Sequence, residues 1–172
     1  MSGADFDPDP GLGLLDLYDE ALPHVYGYLV SRCGDRALAE DLTAESFVAA
    51  VAALRKPEAP ALTTAWLIGV ARHKLVDHWR RVEREQRGLR LVPDHDADTD
   101  DPWDEVLDEM RAGQALALVG PHHRAALTLR YLDGLPVPDV AECLGRSVHA
   151  TEALLVRARR AFRRAYTTGE GE

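Results

Sequence analysis

The stretch from Pro93 to Pro102 most limits what this chain can build, because it cannot join a packed core. Between its two prolines stand Asp94, Asp96, Asp98, Asp100 and Asp101, and Ala97 is the only apolar residue. Too little apolar surface is available there to offset the entropy of ordering the backbone. On both sides of it apolar residues recur at the three- and four-residue spacing of helices, and no stretch alternates with the two-residue period of a strand. The expectation is therefore an all-α chain of two small helical domains, residues 12–90 and 105–166, joined by an acidic flexible linker over 91–104. Short tails, 1–11 and 167–172, flank them. A length of 172 residues leaves room for two such bodies only if each is small.

The spacing assigns the elements. A first helix runs from about Leu12 to Ser31, with Leu14, Leu17, Tyr18, Leu22, Val25, Tyr26 and Leu29 on its apolar face, and Pro23 is expected to kink or break it. Gly34 stops that helix and Asp35 caps the next, Arg36 to Leu54, which turns Leu38, Leu42, Val48, Val51 and Leu54 inward and Glu40, Asp41 and Glu45 outward. Pro57 and Pro60 make 56–63 a loop. Thr63 or Thr64 then caps a third helix, Ala65 to about Arg87. Its apolar stripe of Leu67, Ile68, Ala71, Leu75 and Val76 backs a basic face of Arg72, Lys74, Arg80, Arg81, Arg84 and Arg87. Beyond the linker come helical pieces over 105–119 and Pro121 to Leu132, a turn at Asp133-Gly134, a short helix from Val137 to Leu144, a turn at Gly145-Arg146-Ser147, and a long helix from Val148 to about Tyr166.

A formal net charge of −9 argues against a nucleic-acid partner until its distribution is followed. Three segments hold 14 of the 29 acids and no Lys or Arg: Asp5 to Asp9, Asp94 to Glu109, and Glu170 to Glu172. The remainder carries 15 acids against 20 basic residues. Two basic bodies joined by an acidic cord suit a chain that touches DNA at two places. No apolar run is long enough to span a bilayer, and the acidic, Pro-containing N-terminus lacks the features of a signal peptide. A cytoplasmic protein is expected, with Cys33 and Cys143 as small core residues and no disulfide.

The most specific local pattern lies near the C-terminus. A short helix, a glycine-containing turn of three residues and a longer helix bearing Arg157, Arg159, Arg160, Arg163 and Arg164 form a helix-turn-helix pattern. Val140, Ala141 and Leu144 are expected to pack on Val148, Leu155 and Ala158, which fixes the angle between the helices. The start of the second helix then presents side chains to base edges and the arginines bind phosphates. The same residues also describe a helical hairpin with a solvated basic face.

Gly120-Pro121-His122-His123-Arg124 followed by Leu127 and Leu129-Arg130-Tyr131-Leu132-Asp133-Gly134-Leu135 resembles the opening of the fourth domain of bacterial sigma factors. Val140 to Ser147 and Arg157-Ala158-Arg159-Arg160-Ala161 continue the likeness. Ala39-Glu40-Asp41-Leu42-Thr43-Ala44-Glu45-Ser46-Phe47 resembles the part of the second sigma domain that docks on the polymerase, and Ala65 to Arg81 resembles the helix that melts and reads the minus-ten element. Four motifs in this order resemble the extracytoplasmic-function family within the sigma-70 superfamily, which keeps only these two domains.

That resemblance implies a sigma factor directing promoter-specific initiation. Glu40, Asp41, Glu45 and Phe47 would bind core polymerase, whose β′ clamp and β subunits are the implied partners. Arg72, His73, Lys74, Asp77, Trp79, Arg80 and Arg81 would serve the minus-ten element. Arg146, Ser147, His149, Ala150, Thr151, Glu152, Leu154, Arg157 and Arg160 would serve the minus-thirty-five element. Trp79 can stack on an unpaired base, while Trp66 reads as core. His73 and Asp77 can bond nucleotides or each other. In the family the loop at 56–63 commonly helps hold a flipped base; its two prolines fit a plain connector equally. The acidic linker either threads the basic RNA path of the polymerase or serves as a solubilising tether. A separate anti-sigma protein is an implied partner, and no cofactor or metal is.

The motif Ala150-Thr151-Glu152-Ala153-Leu154 departs from the usual Thr-Val-Lys-Ser-Arg, losing two cations and gaining an acid. Glu152 can accept a hydrogen bond from a cytosine amino group or stand as a solvated first-turn acid that suits the helix dipole. An enzyme is disfavoured: there is no HExxH, no Gly-rich phosphate loop and no spacing for a Ser-His-Asp set, and His122 and His123 are expected to point apart. A stand-alone helix-turn-helix repressor or activator explains the C-terminal body but leaves the first body and the linker without a role.

Overall fold

The computed structural model describes residues 10–88 and 109–168. Its helices are α1 (Pro10–Cys33), α2 (Arg36–Leu54), α3 (Thr64–Arg87), α4 (Glu109–Leu118), α5 (Pro121–Leu127), α6 (Val137–Leu144) and α7 (Val148–Thr168), with a π-helical turn at Thr128–Leu132. No strand occurs among the described residues. The linker expected over 91–104, the N-terminal tail through Asp9 and the C-terminal tail from Gly169 lie outside them, whereas Thr167 and Thr168 extend α7. The chain divides into two compact units, Met1–Leu75 and Val76–Glu172, so α3 gives its first half to one and its second half to the other.

In the first unit α1 packs against α2. Among the described side chains of α1 the buried ones are Ala21, Val25, Leu29 and Cys33, a four-residue repeat that keeps one narrow stripe inside. Pro23 does not break the helix. It sits on the exposed side, as does Asp19, so the carbonyl deprived of its partner faces water. Asp35 caps α2 as expected, its carboxylate accepting from the Leu38 amide at 3.2 Å. The buried face of α2 differs from the one expected. It consists of Ala39, Leu42, Thr43, Ser46, Phe47, Ala50 and Ala53, while Val48 and Val51 are 68% and 38% exposed. Small residues let α1 approach, and the two buried hydroxyls are satisfied within the helix, Thr43 donating to Ala39 O at 2.6 Å and Ser46 to Leu42 O at 2.7 Å. Thr63 is the cap of α3, accepting from the Trp66 amide at 3.1 Å.

In the second unit α4, α5 and α6 all pack on α7. Ala115, Val119, Leu127, Ala158 and Phe162 form one buried cluster, flanked by Leu116, Ala161 and Tyr166. Arg124 closes the end of α4: its Nε donates to Leu116 O at 2.9 Å and a terminal nitrogen donates to Ala117 O. A guanidinium at the negative end of a helix satisfies carbonyls that have no partner within the helix. The single helix expected from Pro121 to Leu132 changes character at Thr128. There the Asp133 amide reaches back five residues to Thr128 O at 2.9 Å, and Arg130 donates to Leu135 O at 3.0 Å to hold the exit. At the start of this turn the Thr128 hydroxyl is buried and has no hydrogen-bond partner among the described residues. The rings of His122 and His123, expected to diverge, lie 4.1 Å apart at the first turn of α5, with His123 buried.

Candidate nucleic-acid interface

The helix-turn-helix is set by backbone geometry at three consecutive residues. Gly145 ends α6 at φ 62°, a left-handed conformation that costs an L-residue about 1 kcal/mol or more and glycine nothing. Around it the Arg146 amide donates to Ala141 O at 2.9 Å and the Gly145 amide to Glu142 O at 3.0 Å, the paired closure of a Schellman motif. Ser147 then caps α7, its hydroxyl accepting from the Ala150 amide at 3.2 Å. The helices are locked by Val140, Ala141 and Leu144 of α6 and by Thr151, Leu154, Leu155 and Ala158 of α7, all buried. Val148, expected inside, is 44% exposed; fully buried Thr151 takes its place, with its hydroxyl on Ser147 O at 2.9 Å.

This seating divides the residues expected to meet the minus-thirty-five element. Ser147, His149 and Glu152 are exposed, and Arg146, Ala150, Arg157 and Arg160 are half-buried. Thr151 and Leu154 are not available to DNA, at 0% and 1% exposure, because they pin α7 to the rest of its unit. The exposed strip at the start of α7 is Val148, His149, Glu152 and Ala153. Sequence reasoning omitted Val148 and Ala153, although Val148 stands four residues from Glu152 and Ala153 four from His149, the spacing that places residues on one helix face.

On α3 the residues expected at the minus-ten element separate likewise. His73, Asp77, Arg80 and Arg81 are exposed, and Arg72 and Lys74 are half-buried. Trp79 is 3% exposed, so in this structure its ring is core and offers no face to a base, while Trp66, expected in the core, is only half-buried. His73 and Asp77 do not pair with each other: His73 Nδ1 lies 2.8 Å from Gly69 O, and Asp77 pairs with Arg80 at 3.6 Å. Within the second unit, Arg80, Arg84 and Arg87 line one hollow with His122 and Arg146. Glu83 sits among them, 2.8 Å from His122 Nδ1 and 2.8 Å from Arg87 Nε. Burial pushes the Glu83 carboxyl up, but its hydrogen bonds and charge attraction to His122 and Arg87 outweigh that and hold it below the ordinary carboxylate value.

On α2, Glu40, Asp41 and Glu45 are exposed as expected. Glu45 is shared with Lys74 of α3 at 3.2 Å. Phe47 is 8% exposed and tilts against Tyr18, ring centroids 4.7 Å apart. These rings form part of an apolar groove of about 500 Å³ between α1 and α2, edged by Leu22, Val48, Val51 and Glu40. The groove was not foreseen, since it follows from the turn of α2 that puts Val48 and Val51 outside.

Comparison with known proteins fits this layout. Residues 17–85 match the family model "Sigma-70 region 2" and residues 109–162 match "Sigma-70, region 4". The chain is 33% identical to the ECF RNA polymerase sigma factor SigC of Mycobacterium tuberculosis over 136 residues, covering 77% of this chain and 72% of that protein. It belongs to the ECF family of RNA polymerase sigma factors. This sigma factor is also 30% identical to SigL of Mycobacterium tuberculosis over 157 residues, covering 86% of itself and 85% of that protein. The match to BldN of Streptomyces coelicolor, 31% identical and 86% of this chain, spans 58% of BldN. Among solved structures the fold is similar to that of the sigma factor RpoE from Bartonella quintana, crystallised with the anti-sigma factor NepR, at a TM-score of 0.54, 21% identity and coverage of 90% and 97% of the two chains. No helix among the described residues is long and apolar enough to cross a membrane.

Proposed function

We propose that this sigma factor joins core RNA polymerase and directs initiation at promoters through two DNA contacts made by domains at 12–90 and 105–166. The observation that carries the reading is one chain holding matches to Sigma-70 region 2 and region 4 in that order, each with an outward charged face. The exposed carboxylates Glu40, Asp41 and Glu45, beside the apolar groove at Phe47, suit a basic surface on the polymerase clamp. Arg72, His73, Lys74, Asp77, Arg80 and Arg81 serve the minus-ten element. Arg146, Ser147, His149, Ala150 and Glu152 meet the minus-thirty-five element, with Arg157 and Arg160 on its phosphates.

The acidic residues between the two matched regions carry the same sign of charge as RNA, which suits a segment that occupies the cationic RNA path of the polymerase before transcript fills it. Regulation by a separate anti-sigma protein is supported by the solved relative crystallised with one. The protein acts in the cytoplasm and without enzymatic activity of its own. A stand-alone repressor is the reading to separate from this one, and a template carrying candidate promoters does so. The proposed function predicts transcripts only when core polymerase and this protein are both present. A protein that shifts the DNA by itself and yields no transcript with core polymerase overturns it.

A further inference from the structure

Glu152 is the only acid of α7, and all five arginines of that helix lie beyond it in the chain. The structural uses a helix has for an acid do not apply to it. Ser147 is the cap, so the reciprocal capping position is Ala150 and not Glu152. The first turn of α7 contains no acid, and the pull of the helix dipole fades beyond that turn. Three and four residues away stand Val148, His149, Leu155 and Val156, none of them Lys or Arg, which excludes a salt bridge to either along the helix. Among the described residues Glu152 makes no hydrogen bond or ion pair, and it is exposed on the strip with His149 and Ala153.

A bare carboxylate on a surface that enters the major groove is repelled by phosphates on both sides, and a base edge that donates to it offsets that cost. Only two amino groups there can do so, N4 of cytosine and N6 of adenine. Adenine sets its N7 acceptor beside N6, where a second carboxylate oxygen meets a lone pair. Cytosine presents its amino group without such a neighbour on the same base. We infer that Glu152 is a specificity-determining residue of the upstream promoter contact, accepting a hydrogen bond from the amino group of a cytosine. This rests on the proposed reading that α7 enters the major groove.

The test uses holoenzyme assembled from core polymerase and the full chain on a promoter library randomised across the upstream element, with the transcripts sequenced. Wild-type protein selects cytosine at one position. Glu152→Ala loses that preference by about fivefold or more and leaves the other positions unchanged. Glu152→Gln moves it towards adenine, because an amide pairs with both N6 and N7. Thermal melting of both variants matches wild type. If Glu152→Ala keeps every positional preference and only raises initiation uniformly, Glu152 is an electrostatic penalty and the inference fails while DNA reading by α7 stands. A wild-type holoenzyme that selects no upstream sequence overturns that DNA reading and the inference with it.

Discussion

Replacing Leu154 by alanine separates a residue that seats the reading helix from one that reads. The side chain is 1% exposed and lies on the buried face of α7 with Thr151, Leu155 and Ala158. Truncation removes three carbons from a packed site, a change that costs about 2–5 kcal/mol, and a central value of about 3 kcal/mol suits a helix interface that collapses only partly. For a domain of roughly 60–100 residues each kcal/mol lowers the melting temperature by about 4–8 °C, so the second unit should melt about 12–24 °C lower. Ala153, one residue earlier and exposed, is the control: Ala153→Ser should shift stability by no more than about 0.5 kcal/mol. Thermal and urea unfolding followed by far-ultraviolet circular dichroism read both. Below its melting transition, Leu154→Ala holoenzyme should select the same upstream sequence as wild type. A variant that melts within about 2 °C of wild type but selects a different upstream sequence would refute the assignment of Leu154 to the core.

Other residues give independent checks. Thr128→Val keeps the shape of a buried side chain and removes a hydroxyl that has no partner among the described residues, so stability should hold or rise by about 1 kcal/mol in urea unfolding; a clear loss would show that the hydroxyl is bonded. Arg124→Met removes the donors that close α4 and should cost about 1.5 kcal/mol by the same assay, whereas an unchanged midpoint would mean water replaces them. Glu83 is held below its ordinary value in the folded chain, so its contribution is complete above the unfolded carboxylate pKa and disappears as pH falls through the depressed one. Glu83→Gln should therefore flatten the acid limb of the stability curve of the second unit, and superimposable limbs would contradict the pairing with His122 and Arg87. Glu45→Ala breaks a partly exposed pair with Lys74 and should change stability by less than about 0.5 kcal/mol. The same variant should weaken core-polymerase binding more at low salt than at high, and salt-independent weakening would argue against a charge contact.

The elements were legible because their punctuation is local. Asp35, Thr63 and Ser147 cap helices through their own side chains, and Gly34, Gly134 and Gly145 take positive φ at turns that the sequence marks. The start of α2 and the end of α6 followed from these signals. Which face each helix buries was less legible. Spacing alone favoured large aliphatics, so Val48, Val51 and Val148 were placed inside, whereas Ala39, Ser46 and Thr151 fill those interfaces because close helix approach needs small side chains. Trp79 misled for a related reason, since an aromatic on a basic helix serves equally as a stacking face or as core, and only packing decides. The π-helical turn has no sequence signal that spacing can detect. For the candidate site, the charged residues of α2 and most of those on α3 were recognisable as surface, while the apolar groove and the removal of Leu154 and Thr151 from the reading face required the tertiary arrangement.

Run-off transcription with core polymerase on fragmented genomic DNA, with and without this protein, tests the central claim most directly. A set of start sites that appear only with the protein and share a pair of upstream elements is the predicted result. Properly folded protein that yields no dependent start site anywhere in the genome would contradict it.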